Sequence, residues 1–543
     1  MANSKFDFDF IIIGSGFGGS VSALRLAEKS YRVCVLERGK RYRAQDFPKT
    51  NKNLRKYLWM PKLKFFGIQN LSIFKDIFVL SGCGVGGGSL VYASTLLVPP
   101  DPFFQAPQWA HLADWKKELT PHYETAKKML GVAPNPLITE VDIKLKEVAQ
   151  EMGCAHTFKP VDVGIYFGRK GDEGKLVPDP YFGGKGPERA GCIFCGGCMV
   201  GCQHGAKNTL DKNYLYFAEK LGVVIEPESE VYDIRPIHSR YGKDGYEVFV
   251  KKSTAWFFKK RKVITARSVV LSAGVLGTVN LLLRCKYITQ SLSELSSCLG
   301  KNVRTNSEAL LGVTTRDKNK DFSQGIAITS GFYPEPHTHV EPVRYPKGSS
   351  FMKVIAAPMA NEGGRFLRPL KMICAALLHP LDTLRLFFNF HWAENTIILL
   401  VMQTLENKIS FKLGRNIFTL FLKRMTTEAH PSHKVPVFIP IANTIARVLA
   451  KKINGIPQSA VNEVLLQIPT TAHVLGGCCM GSTSQEGVQE GVIDTQHRVF
   501  GYENMYVCDG SAVSANLGVN PSLTITAMTE RCMSFIPESS SSK

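Results

Sequence analysis

Phe8-Asp9-Phe10-Ile11-Ile12-Ile13-Gly14-Ser15-Gly16-Phe17-Gly18-Gly19, near the start of a 543-residue chain, sets the architecture. The apolar, β-branched run at 8–13 predicts a buried strand. A G-x-G-x-x-G loop follows at 14–19, then an amphipathic helix pattern from Ser20 to Lys29 and a second strand at 32–36 that ends on Glu37. Strand, glycine loop, helix, strand and acid in that order form a dinucleotide-binding unit. Gly14 allows the tight turn, Gly16 lets backbone approach a pyrophosphate, and Gly19 lets helix and strand pack closely. The helix N-terminus turns N–H groups and the positive end of its dipole towards the anion. Glu37 stands where a carboxylate accepts from ribose hydroxyls, which favours FAD or NAD over NADP.

Further along, Ser81-Gly82-Cys83-Gly84-Val85-Gly86-Gly87-Gly88-Ser89 places backbone where side chains would obstruct a flat cofactor; a plain flexible loop is the alternative. Near the C-terminus, Thr471-Ala472-His473-Val474-Leu475-Gly476-Gly477 precedes a strand at 504–508 that leads into Asp509-Gly510-Ser511. Gly518-Val519-Asn520-Pro521 then introduces a helix at 522–531.

Together these strings resemble the glucose–methanol–choline (GMC) flavoprotein oxidoreductases, and Gly-Val-Gly-Gly-Gly-Ser-Leu-Val with Leu-Gly-Val-Asn-Pro resembles their bacterial cholesterol oxidase branch. The resemblance covers both ends of the chain; residues 315–460 carry no sharp motif. It implies an α/β fold with two parts. A Rossmann-like FAD-binding domain is assembled from residues 1–100, 205–312 and 465–543, and a substrate-binding domain with an antiparallel sheet and covering helices from 101–204 and 313–464. It places Gly14, Gly16, Phe17, Gly18, Gly19, Glu37, Gly82, Gly87, Gly88, Val231, Asp509, Gly510 and Asn520 around FAD. His473 becomes the active-site histidine and Asn520 the asparagine beside the flavin. An imidazole can orient an alcohol and accept its proton, and an amide can hydrogen-bond its oxygen without adding charge. Standing alone, His473 would be a structural histidine and Asn520 a helix cap.

The family also implies a substrate-domain carboxylate that moves a sterol double bond, and no motif locates it. Oxidation of a 3β-hydroxysteroid or similar bulky lipid is thus the leading expectation, with oxygen or another electron acceptor. A dehydrogenase of another hydrophobic or long-chain alcohol is the alternative. A non-catalytic flavin-containing lipid binder is disfavoured because His473 and Asn520 are both present.

Cys192-x2-Cys195-x2-Cys198-x3-Cys202 has ferredoxin spacing, with Gln203 where the bacterial run has Pro. An iron–sulfur cluster, zinc held by some of these cysteines with His204, and a metal-free set of thiols are all open. The other cysteines, Cys34, Cys285 and Cys508 among them, sit mostly in apolar strings, and no disulfide framework or signal-peptide pattern is visible, so a cytoplasmic location is expected.

The net charge of +20 is regional. Residues 38–64 hold ten basic residues against Asp46, 251–262 hold six, 365–388 hold four against Asp382, and 407–424 hold five. From Leu465 onward, three basic residues face seven acidic ones. Basic residues mix with aromatics and leucine at 54–66, 372–392 and 411–425, which fits peripheral contact with an anionic membrane; three core-packing helices with solvated basic faces are the alternative. The 251–262 stretch is expected in a surface hairpin. No nucleic-acid-reading motif appears.

Overall fold

The computed structural model describes residues 6–256, 259–483 and 490–539, so residues 257 and 258 of the 251–262 stretch lie outside it. Five strands run parallel: Val224–Glu226, Val33–Leu36, Phe8–Ile13, Arg261–Leu271 and Met505–Val507. Tyr246–Lys252 and Ser229–Pro236 extend this sheet antiparallel, giving seven strands. The first of these pairs with Arg261–Leu271, so the basic 251–262 stretch does form a hairpin. Ile11, Ile12 and all of Val33–Leu36 are buried, as expected of parallel strands covered on both faces. The first helix, Phe17–Glu28, begins inside the glycine loop, three residues earlier than the apolar pattern implies.

A second seven-stranded sheet is antiparallel throughout, in the order Ala356–Pro358, Gly455–Ala460, Ala309–Thr315, Thr396–Gln403, Thr338–Val343, Ser330–Glu335, Lys159–Pro160. Ala309–Thr315 belongs to it along with Lys159–Pro160, so the later segment of this sheet starts at 309, before the expected 313. Helix Pro440–Lys452 covers one face by burying Ala442, Ile445, Ala446 and Leu449 at helical spacing.

The three basic–apolar stretches separate from one another. Residues 54–66 bury Tyr57, Leu58 and Trp59 through a short helix, Leu54–Tyr57, and a small hairpin. Residues 411–425 are not a helix. They form the end of a hairpin between Ile409–Gly414 and Arg424–Ala429, because Ile409 and Phe411 alternate into the core with strand period. Most of residues 372–392 is helical, in Gly364–Leu378 and Pro380–Phe388, and apart from the buried Leu386 and Trp392 most of its large apolar side chains face outward. No helix among the described residues is long and apolar enough to cross a membrane.

Candidate active site

Ile13, Leu36, Leu271 and Val507 end four parallel strands, and the next few residues of each, Gly14, Glu37, Ser272 and Asp509, border a cavity of about 550 Å³. A crevice at the carboxyl ends of parallel strands is the place such sheets offer a dinucleotide. Gly16, Phe17, Gly18, Gly82, Gly87, Gly88, Val231 and Gly510 also line it. Gly19 does not. A Cβ there would lie 2.0 Å from the Gly14 carbonyl oxygen, so its part is helix–strand packing. On the far side Leu310, Ile328, Val343, Ile398 and Leu400 of the antiparallel lobe give an apolar floor.

Between the glycine wall and this floor stand Glu308, His473 and Asn520. The Glu308 carboxylate bonds Nδ1 of His473 through Oε1 and accepts from the Ala472 N–H at 2.9 Å through Oε2. His473 lines the cavity, and its other ring nitrogen, Nε2, is not the one engaged by Glu308. Burial works against the imidazolium, but the charge and hydrogen bond of Glu308, with the nearby Glu341, hold the His473 pKa above its ordinary value. Glu308 reaches this position through two consecutive left-handed residues, Asn306 (φ 60°) and Ser307 (φ 45°). Asn306 accepts through Oδ1 from Leu517 (3.1 Å) and Gly518 (2.8 Å) and donates to the Val519 carbonyl at 3.0 Å. One side chain thereby fixes the Glu308 segment to the turn that presents Asn520.

Asn520 Nδ2 donates to Glu341 Oε2 at 3.3 Å, while Asn520 Oδ1 and Glu341 Oε1 are buried without a partner among the described residues. Burial pushes the Glu341 carboxyl up to about 8, against the opposing pull of Asn520 and His473. His339 Nδ1 lies 3.8 Å from Glu341 Oε1, and burial brings that imidazole down to about 3, so it is neutral.

A GMC oxidoreductase family model matches residues 425–529, and an NAD(P)-binding Rossmann-like domain model matches 12–51. The chain is 46% identical to a cholesterol oxidase of Acinetobacter baumannii over 539 residues, 99% of this chain and 96% of that protein. It is also 46% identical to a cholesterol oxidase of Mycobacterium tuberculosis, covering 98% and 92% of the two chains. The chain belongs to the GMC oxidoreductases, in the cholesterol oxidase branch. Pyridoxine 4-oxidase from Mesorbium loti shares the fold, with a TM-score of 0.60 at 14% identity over 97% of this chain and 98% of that one.

The glycine loops of this GMC oxidoreductase fit FAD. A Cβ on Gly16 meets no protein atom within 4 Å, so its face is open to the cavity, whereas one on Gly87 would lie 2.7 Å from Gly16 Cα. The two loops therefore meet backbone to backbone. Glu37 joins them: Oε2 accepts from Ser15 N (3.2 Å) and Oγ (2.7 Å), and Oε1 from Gly39 N (2.7 Å) and Gly84 N (3.3 Å). These four bonds use the acceptor positions of a carboxylate, so a ribose hydroxyl shares or replaces one of them. Asp509 is likewise held by Ser511 and Thr278.

Sequence reasoning missed Glu308 and Glu341. Neither belongs to a motif: Glu341 sits in the strand Thr338–Val343, whose six residues are all buried, but Thr338, His339 and Glu341 make the string too polar to read as a buried strand.

Of the cysteine run, Cys192 and Cys198 are buried, Cys202 is half-buried and Cys195 exposed, as is His204. Among the described residues, the one group with three donor atoms mutually within 4.8 Å is His497, Cys508 and Cys532, so the run is not gathered around a single ion such as zinc. It does abut the cavity. Met199 lines the cavity wall, and the buried Lys207 donates to the Cys198 carbonyl (2.7 Å) and to that of Leu90 (3.0 Å).

Proposed function

We propose that this GMC oxidoreductase oxidises the secondary alcohol of a 3β-hydroxysteroid or a similarly bulky lipid. The observation that carries the reading is the His473–Glu308 pair, set between a glycine-walled cofactor crevice and an apolar floor. The parallel-sheet lobe is the FAD-binding domain and the antiparallel lobe shapes the substrate space. Gly14, Gly16, Phe17, Gly18, Gly82, Gly87, Gly88, Val231, Asp509 and Gly510 would hold the cofactor.

Held there, FAD would supply the acceptor for the carbinol hydride, with oxygen as the final electron acceptor. His473 Nε2 takes the hydroxyl proton, and Glu308 stabilises the imidazolium that results and fixes the tautomer. Asn520 has a second amide hydrogen beyond the one given to Glu341, and it donates to the substrate oxygen. Leu310, Ile328, Val343, Ile398 and Leu400 bury the apolar body and exclude water. We assign the double-bond shift to Glu341, whose raised basicity suits taking a proton next to the new ketone and returning it two carbons away.

The test is anaerobic titration of the holoenzyme with a panel of sterols and long-chain alcohols, followed by oxygen. Bleaching of the flavin by sterols and its recovery in air support the reading; bleaching only by unbranched alcohols overturns it.

A second reading concerns the electron acceptor. Met199 connects the cysteine run to the cavity wall, so a multinuclear iron–sulfur cluster held by Cys192, Cys195, Cys198 and Cys202 would accept electrons there in place of oxygen, making the protein a dehydrogenase. Iron and acid-labile sulfide assays on anaerobically purified protein, both blank, would end it. Peripheral contact with an anionic membrane belongs to the sterol reading, because sterols reside in bilayers. A cytoplasmic location accords with it, all fourteen cysteines being free thiols.

A further inference from the structure

Amphipathic helices on a folded lobe normally turn their apolar stripe inward. The pair Gly364–Leu378 and Pro380–Phe388 does the reverse. Phe366, Leu370, Ile373 and Leu377, spaced as one helical face, are all exposed, Phe366 to 81% and Leu377 to 75%. Leu381, Leu384 and Phe388 continue the pattern on the second helix and are exposed as well. The anchoring residues are few and mostly polar: Arg368 is buried and donates to the Val437 carbonyl at 2.8 Å, Asp382 pairs with Arg316 at 2.6 Å, and Leu386 alone of the second helix is buried. The stripe is therefore held outward by a fixed attachment.

Its position relates it to the cavity. Met352 lines the cavity, and the adjacent Lys353 donates to the carbonyls of Phe387 (3.0 Å) and Asn389 (3.2 Å), which end the second helix. The apolar pair thus sits directly beside the Met352 end of the cavity.

The rim is basic. Arg365, Lys371 and Arg385 are exposed among the apolar residues, and the one acid of the helix pair, Asp382, is shared between Arg316 and Arg385, so the face keeps a net positive charge. A second copy of the chain docking on this face would bring the same cations against each other. An anionic lipid surface offers apolar chains beneath a negative layer, which matches both features.

We propose that the helix pair Gly364–Leu378 and Pro380–Phe388 inserts its outer face into the interfacial layer of an anionic bilayer and sets the Met352 end of the cavity against the lipid. The proposal rests on the sterol reading for its purpose, but its physical content is tested separately. The holoenzyme is mixed with vesicles of phosphatidylcholine alone or of phosphatidylcholine with phosphatidylglycerol, and binding is measured by flotation, beside the variant F366S/L377S/F388S. These side chains are exposed, so the variant should keep its bound flavin and its thermal midpoint.

The expected result is preferential binding to the anionic vesicles, reduced about tenfold or more in the variant. Turnover of cholesterol held in those vesicles should fall with it, while turnover in detergent is unchanged. Absence of vesicle binding, or equal binding by the variant, overturns the proposal, as does a wild-type dimer that the variant converts to monomer. If vesicle binding behaves as expected but no sterol is oxidised in detergent, the surface stands and the substrate reading falls.

Discussion

Glu308 grips Nδ1 of His473 on one oxygen and the Ala472 N–H on the other, so the carboxylate orients the imidazole and the backbone that carries it together. The pair is the electrostatic centre of the site, and its pH behaviour follows from the sign of the coupling.

His473 must be neutral at Nε2 to accept a proton, and Glu308 holds its pKa above the ordinary value. On the proposed role, the acid limb of the wild-type kcat/KM profile should lie above the ordinary histidine value. Glu308→Gln removes the larger of the two carboxylate charges that oppose burial and leaves only Glu341 against it, so the limb should move to lower pH. Lost orientation should also cut kcat by about ten- to a hundredfold. A profile across pH 5–9 decides the matter, and an unmoved limb would show that Glu308 is merely structural.

Glu341→Gln keeps the shape and the acceptor towards Asn520 but cannot take a proton. Flavin reduction by a 5-ene sterol should proceed within about tenfold of wild type, while the product stays the unconjugated ketone. Chromatography of the product, with the absorbance of the conjugated enone as readout, checks this. Full conversion to the conjugated ketone would remove Glu341 from the isomerisation step.

The same carboxyl has a stability signature. Its folded pKa of about 8 lies above the unfolded value, so the native state binds the extra proton between those two values. Stability contributed by the protonated form is present below pH 4.5 and is lost as pH rises through about 8. Glu341→Gln should stabilise the protein more at pH 9 than at pH 5, by on the order of a few kcal/mol, read as a larger rise in thermal midpoint at the higher pH. Equal midpoint changes at the two pH values would contradict the buried-carboxyl assignment.

Two neighbouring glycines should fail in different ways. A Cβ on Gly18 would lie 1.5 Å from the Cys508 carbonyl oxygen, and one on Gly16 meets only open cavity. Gly18→Ala should destabilise the fold by about 3 kcal/mol or more. Gly16→Ala, at an ordinary φ of −72°, should leave the apoprotein folded and lower the bound flavin per chain. Thermal midpoint and the flavin-to-protein absorbance ratio separate the two.

The parallel sheet and its cofactor edge were legible because they depend on local order: a β-branched run, a glycine loop, a helix and an acid within thirty residues of Phe8. His473 and Asn520 were legible through strings that resemble a family. Glu308 was not, since its place depends on two left-handed residues and on Asn306 bonding a turn more than two hundred residues away.

Sequence by itself determined which residues could form the dinucleotide crevice and which histidine and asparagine belong beside it, because those features are written in short, contiguous patterns. Only the tertiary structure decided where the charged and apolar surplus goes. An apolar stripe looks the same in sequence whether it packs inward or faces out, and its direction is set by which residues, Arg368 and Asp382 here, find partners on the rest of the fold. Likewise, a glutamate becomes a base or a positioning group only through the neighbours that folding brings to it.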